Sequence, residues 1–420
     1  MKNIKKISLV LIVIICALAA GSSLSVWYIN KDKVVIPKVY FQGDMSNMLT
    51  KSDERNIVIK YKDKSGDKEF ETYAKIKLQG TSSLAYDKKN YTITLYEDEN
   101  YENKNKIIMN EDWGAQSKYC LKANWIDKTH SRNIVTARIA ATIQEKYGVF
   151  TNTPHNGTID GFPIEVYINN EFLGIYTWNI PKDEWMWNMD DENPNHIVIS
   201  AGNHSETTDF KEEAIEFDEE GWEVEVGHEN DETLEKLNRL ITFVKDSTDE
   251  EFKENYEEYI DKDSILNYIC VLSVSEALDN VSKNLMLVTY DGEVWAPSLY
   301  DLDATFGTDY KGDILESYDS FEWRLNKCLL FKRTIETFPE ELADRYFELR
   351  KDILRKENIM KEFEDFKASI PEESFEKEAQ RWANIPGENI EQISEFLDYR
   401  LPFIDKYMNG LYDTEVNEEI

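Results

Sequence analysis

Residues 264–307 read SILNYICVLSVSEALDNVSKNLMLVTYDGEVWAPSLYDLDATFG, and few folds accommodate that order of elements. Ile265, Leu266, Ile269, Leu272 and Val274 set an apolar helical pattern that runs up to Leu278. A polar break follows, Asp279-Asn280-Val281-Ser282-Lys283-Asn284. Two β-like runs, 285–290 and 293–300, come next, joined by Asp291-Gly292, a strong two-residue hairpin signal. The second run ends on two carboxylates, Asp301 and Asp303. A calcium loop starting at Asp301 would need Gly sixth and Glu twelfth, where Phe306 and Gly312 stand, so that reading fails. A glycosidase needs an acid and a base across one sugar, and nothing selects such a pair from 82 acidic residues.

Helix, Asp-x4-Asn loop, hairpin and Asp is the order found in the C-lobe of a protein kinase, where the loop Asp accepts the substrate hydroxyl proton and the Asn holds a metal. Asp279 and Asn284 have that spacing, and Asp301 closes the set. Mg²⁺ prefers hard oxygens and keeps waters, so one carboxylate and one amide suffice beside the phosphates of ATP. Ala277-Leu278 replace the usual His-Arg, which marks any such kinase as divergent.

Further segments carry a closer resemblance: GTSS at 80–83 with Lys88-Lys89-Asn90-Tyr91, LKANWIDKTHSRN at 121–133, PIEVYINNEFLGIY at 163–176, DNVSKN at 279–284 and WAPSLYDLDATFG at 295–307. With them the chain resembles the kinase-like CotH proteins of bacterial spore coats over roughly residues 38–410. The resemblance implies an α+β, divergent bilobal protein-kinase-like fold, with a β-rich N-lobe over 31–180, a mainly helical C-lobe over 181–410 and a tail over 411–420. It also implies a secreted kinase that uses ATP with Mg²⁺ or Mn²⁺ and phosphorylates Ser or Thr hydroxyls of exported or spore coat proteins. By the same resemblance Asp279 orients or deprotonates the acceptor, Lys283 steadies the transferring phosphate, and Asn284 and Asp301 hold metal, with Asp303 the alternate ligand. Gly80, Ser82 and Ser83 belong to a turn near the nucleotide. Gln79, where the family commonly has Arg, and Asn179, where an acid is expected, depart from the pattern.

A kinase needs one lysine on the α/β-phosphates. Lys122 lies between apolar neighbours on a β-like run, where a phosphate would compensate its burial, and Lys89 leads into a strand; both are candidates. Tyr176 or Trp178 with Trp295 would form an aromatic slot for adenine. No G-x-x-x-x-G-K-[ST] or G-x-G-x-x-G occurs, which removes P-loop and Rossmann sites.

Alternation predicts strands at 34–36, 56–61, 73–78 and 91–96, and a hairpin of 164–168 and 172–178 around Asn169-Asn170. Helices are expected from Arg132 to about Lys146 and over 233–246, with a charged helical region over 334–410. Arg132 is expected in a structural role. The acidic run 206–232 reads as a solvated loop, with steering of basic segments as the alternative.

A formal net charge of −34 disfavours nucleic acid and anionic lipid and favours basic partners. Lys2, Lys5 and Lys6 precede an uncharged stretch, 7–29, so residues 1–30 read as a signal peptide or a membrane anchor, and the remainder as exported. Ile15 before Cys16 argues against lipidation, and Cys120, Cys270 and Cys328 read as free buried thiols. The rival function is a non-catalytic coat or surface scaffold that binds proteins or glycans.

Overall fold

The computed structural model describes residues 34–412, apart from 81, 316 and 319–321. The expected leader, 1–30, and the tail beyond Tyr412 lie outside the described residues. Among the described residues no helix is long and apolar enough to cross a membrane. The class is α+β, with strands in the N-terminal part and helices toward the C-terminus.

Seven strands of the N-terminal part close into a barrel. They are β1 (Lys38–Gln42), β2 (Glu54–Lys62), β3 (Glu69–Gln79), β4 (Asn90–Tyr96), β7 (Lys118–Lys122), β8 (Gly161–Ile168) and β9 (Glu171–Asn179). The two-residue strands β5 (Ile107–Ile108) and β6 (Ala115–Gln116) pair only with each other. The order β1-β2-β3-β4-β7-β9-β8 is antiparallel except where β8 meets β1 in parallel. The period of two sends Ile57, Ile59, Ala74, Ile76, Ile93, Leu95, Ile164 and Val166 inward to one core. The first strand begins beyond the apolar trio 34–36, because Pro37 has no N–H for the ladder and Val34 and Val35 stay exposed. Asn169 (φ 48°) and Asn170 (φ 71°) supply the two left-handed residues of a tight hairpin between β8 and β9.

The second core is built on helices. α1 (Arg132–Tyr147) lies within the barrel part of the sequence, yet its apolar face packs into this second core. A four-stranded antiparallel sheet follows, order β11-β10-β12-β13, from β10 (Ile197–Ala201), β11 (Trp222–Val226), β12 (Leu285–Thr289) and β13 (Ala296–Leu299). Around it stand α2 (Asp231–Asp246), α3 (Asp249–Asn255), α4 (Lys262–Ser275), α5 (Glu322–Lys327), α6 (Leu329–Thr337), α7 (Pro339–Arg350), α8 (Lys356–Ala368), α9 (Glu372–Arg381) and α10 (Ile390–Leu411). Every residue of α4 from Ser264 onward is buried, which makes it the axis of this half.

Two further boundaries differ from the sequence reading. α4 stops at Ser275, where Glu276 turns left-handed (φ 54°), rather than at Leu278. The connection between β12 and β13 is longer than Asp291-Gly292, because the Asp291 carboxylate accepts the N–H groups of Glu293 and Val294 and stabilises a wider loop.

Candidate functional site

A cleft of about 390 Å³ opens between the barrel and the helical half. Leu78, Gly80, Ser83 and Lys122 line it from the barrel. Asp279, Lys283, Asn284, Met286, Asp301 and Asp303 line it from the other side.

Buried hydrogen bonds hold these groups. The left-handed Glu276 ends α4 and lets the chain form a 3-10 turn, Asp279–Val281. Tyr268 donates its hydroxyl to Asn280 O at 2.6 Å, and Asn280 Nδ2 donates to Tyr300 O at 2.7 Å, tying the turn to α4 and to the end of β13. Lys283 N donates to Asp279 O at 2.8 Å, and Asn284, left-handed at φ 58°, donates its N–H to Ala201 O at 2.9 Å. Asp301 is also left-handed (φ 57°), a region that Asp and Asn enter more readily than bulky residues. Asn133 Oδ1 accepts Leu302 N at 2.9 Å. Arg132 is fully buried, pairs with Asp127 and donates Nε to Thr305 O at 3.0 Å, so its role is structural: it braces the segment behind Asp303.

On the barrel side, Gly80 sits at φ 98°, and a Cβ there would come within 1.9 Å of Ser83 Oγ. Only glycine allows the turn to fold back this tightly. Ser82 opens the 3-10 turn Ser82–Ala85. Lys122 reaches across the cleft to Asp301 Oδ1 at 3.4 Å.

The charges are coupled. Burial would push the Asp279 carboxyl up, but the His204 hydrogen bond and the charge of Lys283 outweigh it and hold the group below its ordinary value. Burial, then the neighbouring Asp301 charge, push Asp303 up to about 8. Burial alone would lower Lys122; Asp301, followed by Tyr300, more than reverses this and holds it above its ordinary value. Asp301, Asp303 and the Asn284 amide offer hard oxygens of the kind Mg²⁺ and Mn²⁺ take, and a second positive charge would relieve the crowding of the two carboxylates. The donor set therefore fits a divalent cation. Among the described residues no three His, Cys, Asp or Glu side chains are grouped to hold a metal by themselves, so phosphate and water oxygens would complete the shell.

Four sequence candidates stand apart from the cleft. Lys89 donates Nζ to the carbonyls of Leu84 and Tyr86, which fastens the turn after Gly80 instead of facing phosphate. Tyr176 and Trp178 point into the barrel core, and Trp295 is buried in the helical core, so these three form no aromatic slot. Tyr176 and Trp178 lie on β9 and Trp295 just before β13, and the burial of all three leaves no open face. The aromatic rings that do line the cleft are Tyr86, Tyr300 and Tyr310.

Other cleft residues escaped the sequence reading. Lys182 pairs with Glu225, and Ser200 donates its hydroxyl to Glu225 as well. Burial would lower Lys182, but Glu225 outweighs it and raises the group. Glu223 and Glu225 belong to β11, inside the run read as a solvated loop; the alternation Trp-Glu-Val-Glu-Val was the available signal. Lys182 and Lys122 stand over the Tyr300 ring, 4.9 and 5.2 Å from its centre. His204, beside Asp279, had no signal at all, because it comes from a loop 75 positions earlier in the chain.

A family model described as CotH kinase protein matches residues 76–404. No curated protein matches the chain.

Proposed function

The chain belongs to the CotH kinase family, and on that premise we propose that it is an ATP-dependent protein kinase with a divergent bilobal plan, the barrel forming one lobe and the helical half the other. The observation that carries this reading is the meeting of Lys122, Asp279, Asn284 and Asp301 in one cleft, from elements far apart in sequence. Leu78 and Met286 offer apolar surface for a purine, while Lys122 and the turn at Gly80 and Ser83 face the room left for phosphates. Asn284, Asp301 and Asp303 would hold Mg²⁺ or Mn²⁺, which when bound neutralises phosphate charge.

Asp279 orients a Ser or Thr hydroxyl and accepts its proton as the acceptor oxygen bonds to the γ-phosphorus. The bond from that phosphorus to the bridging oxygen breaks, and ADP leaves. Lys283 and Lys122 offset the charge spread over the phosphoryl oxygens, so catalysis is mostly positioning and electrostatics. The acceptors are exported or spore coat proteins, and the charge of −34 favours basic ones. The N-terminal segment 1–30 delivers the domain outside the cytosol, as a cleaved signal or a retained anchor.

The test is thermal unfolding of the chain with ATP and Mg²⁺, with ATP and Mn²⁺, and with ATP and EDTA. A ligand held at 100 times its Kd stabilises the folded state by about 2.7 kcal/mol. A metal-dependent rise in Tm that disappears in Asp301→Ala is the expected result. No rise under any condition would return the chain to the scaffold reading.

A further inference from the structure

His204 lies on the loop between β10 and β11, outside every segment that carried the resemblance. The loop is built: Asn203 Oδ1 accepts His204 N at 2.9 Å, and Thr208 Oγ1 donates to Asn203 O at 2.8 Å while accepting Ser205 N at 2.9 Å. The imidazole then reaches one turn with both nitrogens. Nδ1 is 2.9 Å from Ser282 Oγ, and Nε2 is 3.5 Å from Asp279 Oδ1. Ser282 is fully buried, so one end of this bridge is anchored in the protein while Asp279 keeps a quarter of its side chain open to the cleft, at 26%.

We propose that His204 is a positioning residue for the phosphoryl transfer, fixing the Asp279 carboxylate so that its second oxygen faces the acceptor hydroxyl. This rests on the kinase reading above and deepens it. Opposite a carboxylate, Nε2 carries the ring proton, and the Ser282 hydroxyl donates to Nδ1. A carboxylate on a 3-10 turn otherwise rotates about two side-chain bonds; one N–H held from a separate loop removes that freedom. A ring N–H turned toward Asp279 stabilises the ionised form, the form that accepts a proton. The other charged groups that act on Asp279 are the cationic Lys283 and Arg324 and, across the cleft, the Asp303 carboxyl.

The experiment uses the full chain with Mg²⁺-ATP, labelled at the γ-phosphate, and dephosphorylated casein as the acceptor probe; ADP release without casein is followed in parallel. His204→Ala should lower kcat for transfer to casein by about 10- to 100-fold with KM for ATP within about twofold. His204→Gln, which keeps an N–H near the Nε2 position, should recover much of the loss. The acid limb of the kcat/KM profile should move to higher pH in His204→Ala, since Asp279 loses a partner of its ionised form. Unchanged transfer in His204→Ala, or a loss of ATP affinity equal to the loss of kcat, would overturn the role. A second readout does not depend on turnover: imidazole ¹⁵N spectra should show His204 protonated on Nε2, with that signature altered in Asp279→Ala. Protonation on Nδ1 alone overturns the inference even if the chain is a kinase. A wild-type chain that binds Mg²⁺-ATP and transfers no phosphate, with the Nε2 signature present, overturns the kinase reading and the catalytic role of His204 with it, leaving only the contact.

Discussion

Lys122 and Asp301 each account for the other's place in the cleft. The lysine side chain is 9% exposed and the aspartate 37%, and at 3.4 Å the pair lets an ammonium sit among Tyr300, Cys120 and the barrel wall without an uncompensated charge. On the proposed function a bound nucleotide would draw Lys122 toward phosphate and Asp301 toward metal; spacing offered Asp301, while Lys122 was one of two candidate lysines beside Lys89. Lys122→Met should therefore keep the fold, because Asp301 retains solvent, and lower kcat/KM for ATP by about 10²- to 10³-fold, the range for removing one fixed charge-stabilising donor. Steady-state kinetics beside circular dichroism checks it; wild-type kcat/KM in a folded variant would move the phosphate contact to another lysine. Lys182, paired with Glu225 on the same cleft wall, is then the next candidate.

α9 packs against β9 and fastens the helical half to the barrel. Lys88 is wholly buried and donates to Glu378 Oε1 of α9 at 2.6 Å, to Ala123 O at 2.7 Å, and to Ile175 O. Glu378 Oε2 in turn accepts Ile175 N at 2.7 Å. Gly174 leaves the room, since a Cβ there would approach Lys88 Cε to 2.7 Å. Burial holds Lys88 below its ordinary value despite the Glu378 charge, which marks how much the ammonium loses on leaving water. Glu378→Ala should destabilise the protein by about 3–5 kcal/mol, by leaving a buried cation unpaired, whereas Lys88→Met with Glu378→Leu should cost far less. Urea denaturation of the single and double variants decides between these, and equal losses would mean that α9 is held by its packing alone.

At the scale of the whole molecule, the two cores do not follow the order of the chain. α1 is enclosed by barrel strands in sequence and packs in the helical core, while α9 comes near the end and covers the barrel. Trp382 adds to this by donating Nε1 to Leu173 O at 2.7 Å. A fragment of residues 34–181 should accordingly lack cooperative unfolding, with Lys88 deprived of its carboxylate, and co-expression with 182–420 should restore a single transition. Dispersed ¹H–¹⁵N spectra and a cooperative urea curve from the fragment alone would show that the barrel folds by itself.

Much of this was local enough to read in the chain. Alternation in 56–61, 73–78 and 91–96 gave strands, since a period of two needs only neighbouring residues. Asp279, Asn284 and Asp301 are likewise set by a helix, a turn and a hairpin that follow one another directly. Closure of seven strands into a barrel was not legible, and it is closure that turned Tyr176 and Trp178 inward, away from any purine. Nor were Lys182, His204 and Glu225, whose partners are Glu225, Asp279 and Lys182 on other elements. Sequence by itself determined which segments become helix or strand and which acids stand at their ends, because backbone hydrogen bonding and side-chain period act over a few residues. Only the tertiary structure decided which charges meet, because that follows from burial of apolar faces contributed by segments far apart in the chain.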